Sequence, residues 1–114
     1  MMSRIFAAIA ASLLLAGALA AAPAQAQQPV SISISVKNHR FEPAQISAPA
    51  NVPIVLRVKN LDATPMEFES VSLRVEKVVA GSSEGVVRLR PLSPGSYKFF
   101  DDFHQETNGV LVVR

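Results

Sequence analysis

The chain has no cysteine among its 114 residues. That absence excludes a disulfide framework, a thiolate zinc site and a cysteine nucleophile. Histidine is scarce, with only His39 and His104. There is no Ser-His-Asp pattern, no Gly-rich phosphate loop and no HExxH helix. Distant carboxylate pairs exist, but a chain this short offers no substantial sugar cleft for glycoside chemistry. No segment holds a helical hydrophobic period, and there is no internal repeat. Charge of one sign is lacking too. With Arg4 set aside, ten Lys and Arg face nine Asp and Glu, and no basic block of the kind that binds nucleic acid is present.

What is present begins with a leader. Arg4 precedes an apolar run over residues 5–22, and Ala24-Gln25-Ala26 matches the small-residue pattern of signal-peptide cleavage. Residues 1–26 are therefore expected to be a signal peptide and residues 27–114 one domain, exported and not membrane-spanning. Those 88 residues suffice for one small core and not for two. Without disulfides, that core must be held by packing alone or by packing plus a bound ion.

The domain reads as strands. VSISISV over residues 30–36 alternates apolar and Ser, the period of a sheet with one face buried. Residues 37–43 read as a polar turn-like connection. Further strands are expected at 45–48, 53–59 (PIVLRVK), 67–71, 73–79, 85–90, 97–100 and 110–113. Turns fall at Asn60-Leu61-Asp62, Ala80-Gly81-Ser82-Ser83 and Pro94-Gly95. About eight short strands predict an all-β sandwich, because each half-apolar strand needs a second sheet to cover it. A small closed barrel is the alternative.

Two polar clusters stand out. Around Met66-Glu67-Phe68-Glu69, alternation puts both glutamates on one face and Met66 and Phe68 on the other. Like charges two residues apart repel, more so when half-buried, unless a cation neutralises them. Solvated strand glutamates are the plain alternative. The second cluster gathers Asp101, Asp102, His104 and Glu106 in the connection between two strands. Imidazole and carboxylates together suit a divalent or trivalent ion. His39, beside Arg40 and Glu42, reads as a surface residue, as do Arg74, Glu76 and Lys77, although Glu76 is also placed to line a cleft.

The ordering of these pieces resembles a cupredoxin over essentially the whole of residues 27–114. The resemblance rests on Asn60-x-Asp62 before a ligand loop, Pro94-Gly95-x-Tyr97-x-Phe99, a second ligand loop, and Gly109-x-Leu111-x-Val113. It implies a Greek-key β-sandwich. Blue-copper members take a His from the early loop and Cys, His and usually Met from the late one. Laid on this chain, that frame puts Met66 at or beside the early His, Asp101 at the Cys and His104 at the second His. Glu106 or Thr107 then falls near the axial Met. Only His104 keeps its type, so the thiolate bond of a blue-copper centre cannot form.

The stretches FEPAQISAPANVPIVLRVKN, MEFES, LRVEKVVAG, PGSYKFF and DDFH resemble more narrowly the cupredoxin-like domain of EfeO-type iron-uptake proteins and small periplasmic relatives that accompany iron permeases. That resemblance implies a periplasmic protein binding an iron or copper ion through Glu67, Glu69, Asp101, His104 and Glu106, with Met66 beside them. The implied partner is an inner-membrane iron permease or a periplasmic iron-uptake protein, with an accessory role in ferrous iron oxidation as an extension. Two other readings compete: a metal-free exported interaction module, and an electron carrier with oxygen- and nitrogen-ligated copper.

Overall fold

The computed structural model describes residues 27–114 and, before them, only positions 12 and 17 singly. The expected signal peptide lies outside the described residues. Nine strands form: β1 (Val30–Lys37), β2 (Arg40–Glu42), β3 (Gln45–Ala48), β4 (Ile54–Asn60), β5 (Met66–Ser70), β6 (Val75–Val79), β7 (Ser83–Leu89), β8 (Gly95–Asp101) and β9 (His104–Val113). There is no helix among the described residues. The strands make two sheets, ordered β2-β1-β4-β7 and β3-β9-β8-β5-β6. β1 runs parallel to β4 and β3 parallel to β9, while the other neighbours are antiparallel. The expected all-β sandwich is the architecture found, and the closed barrel is not.

Its core follows from period-two alternation. Ile34 and Val36 of β1, Ile54, Leu56 and Val58 of β4, and Val87 and Leu89 of β7 face inward from one sheet. Met66, Phe68, Phe99, Leu111 and Val113 meet them from the other. Three phenyl rings bridge the layers: Phe41 stands edge-on to Phe99 at 4.9 Å between centroids, and Phe99 lies tilted on Phe68 at 5.0 Å. Aromatic contacts of this geometry are worth about 0.5–1.5 kcal/mol beyond area burial.

Several strand bounds shift by one or two residues, and two strands differ from expectation outright. Residues 40–42, read as part of a turn-like connection, form β2, because Phe41 turns inward and its neighbours pair with β1 in register Val36 to Phe41. The connection itself shrinks to Asn38-His39, both with positive φ (52° and 56°). A two-residue hairpin with both central residues left-handed matches the right-handed twist of the strands it joins. The last strand begins at His104 rather than at residue 110, so the expected late loop contracts to a tip at Asp102-Phe103.

Asn60 and Asp62 tie the near end of the sandwich together. The buried Asn60 side chain donates from Nδ2 to the carbonyls of Thr64 (2.8 Å) and Val79 (3.2 Å), and its Oδ1 accepts from Asp62 N (3.1 Å). Asp62 in turn accepts from Asn38 N at 2.7 Å and from His39 N at 3.0 Å. These donors hold its carboxyl below the usual range, the His39 N–H first among the causes. Asp62 therefore stabilises the β1–β2 turn above its ordinary pKa of 3.8, and that support fades as pH falls through the lowered value.

Gly109 sits opposite Phe99 in the β8–β9 ladder, and an added Cβ would lie 2.3 Å from Phe99 Cε2 and 2.9 Å from the Ala44 carbonyl. The ring is wedged against Phe41 and Phe68 and has little room to retreat. Gly109→Ala is expected to lower stability by about 1–3 kcal/mol in urea unfolding. Adding Phe99→Leu should make the two losses less than additive; strict additivity would show that the glycine answers to something other than this ring.

Candidate metal centre

Alternation along β8 sends Tyr97, Phe99 and Asp101 toward the core, so the last of them delivers a carboxyl group to the end of the sandwich with no exposed surface. A charge there needs donors. Oδ1 accepts the backbone N–H of Glu67 and that of Phe103, each at 3.0 Å, and Oδ2 lies 3.0 Å from Nδ1 of His104. An ionised carboxylate only accepts, so His104 donates through Nδ1 and its Nε2 is left as the lone-pair nitrogen. The side chain of His104 keeps 28% exposure.

His39 meets this pair from the other sheet. Its ring stacks on that of His104, with centroids 3.9 Å apart and planes 27° from parallel. Its Nδ1 lies 3.6 Å from Oδ2 of Asp62, whose side chain is 15% exposed. Thr107, buried in β9, donates its hydroxyl to the His39 carbonyl and locks the turn onto the facing sheet. The result is a row of four groups: Asp62, His39, His104, Asp101. The residue read as surface in the first connection is thus part of the constellation. Its signal in the sequence was weak, because nothing local says that residues 39 and 104 meet.

The remaining expected ligands lie elsewhere. Met66 is buried and packs in the core. Glu106 is exposed on β9. Glu67 and Glu69 project, half-buried, from the outer face of the five-stranded sheet. Glu76 of β6 pairs directly with Glu69, and one carboxylate oxygen of each of these three lies within 4.8 Å of the others. Asp102 joins the edge of this face, its N–H donating to the Glu67 carbonyl at 2.9 Å. Glu67 therefore serves both regions: its backbone anchors Asp101, and its side chain belongs to the acidic face. Lost hydration, then repulsion from Glu76 and Asp102, pushes the Glu67 carboxyl up. Glu69 is raised likewise, by lost hydration first and then by Asp102 and Glu76.

The expected site thus divides into an imidazole and carboxylate array at the end of the sandwich and an all-oxygen face on its side. The first suits borderline metals such as copper and zinc, the second harder cations.

Comparison with known proteins bears on the frame. A family model described as a cupredoxin-like domain matches residues 6–113. An uncharacterized protein of Rickettsia prowazekii (strain Madrid E) is 40% identical over 83 residues, covering 72% of this chain and 66% of that protein. Two solved structures share the fold. The metal-binding domain of the Cu(I)-exporting P-type ATPase CopA of Streptococcus pneumoniae D39 superposes with TM-score 0.64 at 17% identity, over 74% of this chain and 84% of that one. Auracyanin A, a blue copper protein of Chloroflexus aurantiacus, superposes with TM-score 0.64 at 15% identity, over 76% and 100%.

Removing the Asp101 carboxylate leaves two part-buried N–H groups and one imidazole without an acceptor. Asp101→Ala is expected to cost about 2–4 kcal/mol in equilibrium unfolding, and Asp101→Asn, which retains one acceptor oxygen, less. Equal losses would show that only the volume matters. The acidic face carries the opposite sign. A raised carboxyl pKa means that folding disfavours the charged form, so stability is full below the ordinary glutamate value of 4.5 and declines as pH rises through the raised value. Glu69→Gln should raise the melting temperature at neutral pH by roughly a degree or two, with the gain vanishing in acid. A gain independent of pH would remove repulsion as its cause.

Proposed function

Because the chain belongs to the family of cupredoxin-like domains and yet has no cysteine, we propose that it is an exported metal-binding module that holds copper without a thiolate and passes it on. The carrying observation is the His104 imidazole, held through Nδ1 by the buried carboxylate of Asp101. Metal-binding histidines almost always have such an acceptor behind them, because it fixes the tautomer and raises the basicity of the ligating nitrogen. The related folds named above include a copper-transporting ATPase domain and a blue copper protein, which agrees with copper as the ion. The leader expected over residues 1–26 from its sequence supports export, and the periplasm is the compartment proposed. A membrane permease for iron, or a periplasmic iron-uptake protein, is the proposed companion, and the recipient in the iron reading below.

A second reading has its own observation behind it. The three carboxylate oxygens of Glu67, Glu69 and Glu76 converge within 4.8 Å, a donor set that favours a hard ion such as Fe(III) over copper. In that reading the acidic face carries iron for the permease, and His104 is a structural residue.

Unfolding of the protein with and without Cu(II), Zn(II) and Fe(III) separates the readings. An ion that binds only the folded state stabilises it by about 2.7 kcal/mol at a hundredfold excess over Kd. Stabilisation by Cu(II) that His104→Gln abolishes and Glu69→Gln leaves intact is the expected result. Stabilisation by Fe(III) that depends on Glu69 would favour the second reading. No shift with any ion would overturn both and leave a metal-free interaction module.

A further inference from the structure

We infer that His39 supplies the second ligand of the copper site proposed above, so that the ion is held by the Nε2 atoms of two imidazoles, one from each sheet. The inference rests on that reading and adds a residue that the cupredoxin frame does not provide, since its early ligand falls near Met66 and not on the β1–β2 turn.

Three observations converge on His39. The first is its backbone. With φ of 56° it occupies a left-handed position where glycine is the favoured residue and a β-carbon is a liability. A strained residue in a turn calls for a reason beyond turn formation, because Asn-Gly would form the same hairpin more easily. The second is its partner. His104 Nδ1 bonds Asp101 at 3.0 Å, and His39 Nδ1 lies 3.6 Å from Asp62, outside hydrogen-bond distance, so each ring turns one nitrogen toward a carboxylate. Among the described residues, neither Nε2 has a hydrogen-bond partner.

The third is distance. Two nitrogens bound to one ion, each about 2.0–2.1 Å from it, are separated by no more than about 4 Å. The ring centroids stand 3.9 Å apart, so the two side chains reach one point of space, but the rings are stacked at 27° and their in-plane lone pairs run side by side. The more exposed His39 ring must swing off the stack about its side-chain torsions for both Nε2 atoms to meet one ion. Asp62 and Thr107 hold the His39 backbone, and Asp101 holds His104, which keeps the pair together before any ion arrives.

Two neutral nitrogen donors with the negative charges placed behind them make a site for Cu(II) or Cu(I), and a poor one for Fe(III). The half-exposed rings leave the rest of the coordination shell to water or to an incoming ligand. Such a site exchanges its ion readily.

The test uses Cu(II) titration with pulsed electron paramagnetic resonance, which counts coordinated imidazoles through their remote nitrogens. Wild-type protein should show two. His39→Gly, which creates the favoured Asn-Gly turn, should fold at least as stably without metal, yet bind Cu(II) at least tenfold more weakly and show one imidazole. A purely structural His39 would behave in reverse, changing apo stability and leaving affinity and the imidazole count unaltered; that result would overturn the inference while the copper reading stands. A single imidazole in the wild type, lost in His104→Gln, would do the same without relying on the glycine variant. Absence of any bound Cu(II) in the wild type would overturn the copper reading itself.

Discussion

The end of the sandwich depends on one buried carboxylate. Asp101 has no contact with water, and its three hydrogen bonds compensate for the hydration it gives up. Each bond fixes something different. The Glu67 N–H sets β5 against β8 where the regular ladder, from Glu69–Phe100 to Phe68–Asp101, comes to its end. The Phe103 N–H closes the two-residue tip, and the His104 bond orients a ring. Once that ring is fixed, the stack with His39 and the position of the β1–β2 turn relative to the second sheet follow. A hydrophobic residue at 101 could fill the space, but it would leave three donors facing an apolar wall.

The division of the acidic residues into two regions comes from the strand pleat. Met66 and Phe68 face inward, which obliges Glu67 and Glu69 to face outward, away from Asp101. Glu67 and Glu69 therefore share one side of the sheet while Asp101, which the Glu67 backbone holds, lies on the other. On the outer side, lost hydration and then repulsion from Glu76 and Asp102 raise the carboxyls of Glu67 and Glu69. On the inner side, every charge is matched by donors. The two regions differ in the kind of cation they suit, and a single ion cannot satisfy both.

Most of the fold was legible because the inward alternation of VSISISV, PIVLRVK and MEFES is strong and the turn residues punctuate it. β2 was missed because it has three residues and only Phe41 faces the core, too little for a period to show. The start of β9 was missed because His104 to Asn108 are polar throughout, and polar residues in a ladder exposed on one side look like a loop. At the site, His104 and Asp101 were legible from their spacing, but not the direction of Asp101, which depends on its being in phase with Phe99. His39 could not be read at all, since its meeting with His104 joins two sheets across 65 positions. Local pattern fixes strand faces; it does not say which turns share an end.

In the cupredoxin frame laid on this chain, the missing thiol and the buried aspartate fall at one position. In the blue-copper arrangement the anionic sulfur at this position bonds to the metal directly. Here, in the copper reading proposed above, the anion at the position that the cupredoxin resemblance equates with the cysteine is turned inward and would act on a metal only through the imidazole it holds. Negative charge is thereby moved from the coordination shell to a place behind it. The ligands that remain are neutral and exposed, which lowers the electrostatic hold on a cation and removes the thiolate covalency that tunes electron transfer. An arrangement of that kind is poorly suited to keeping a redox centre in place and well suited to giving an ion away.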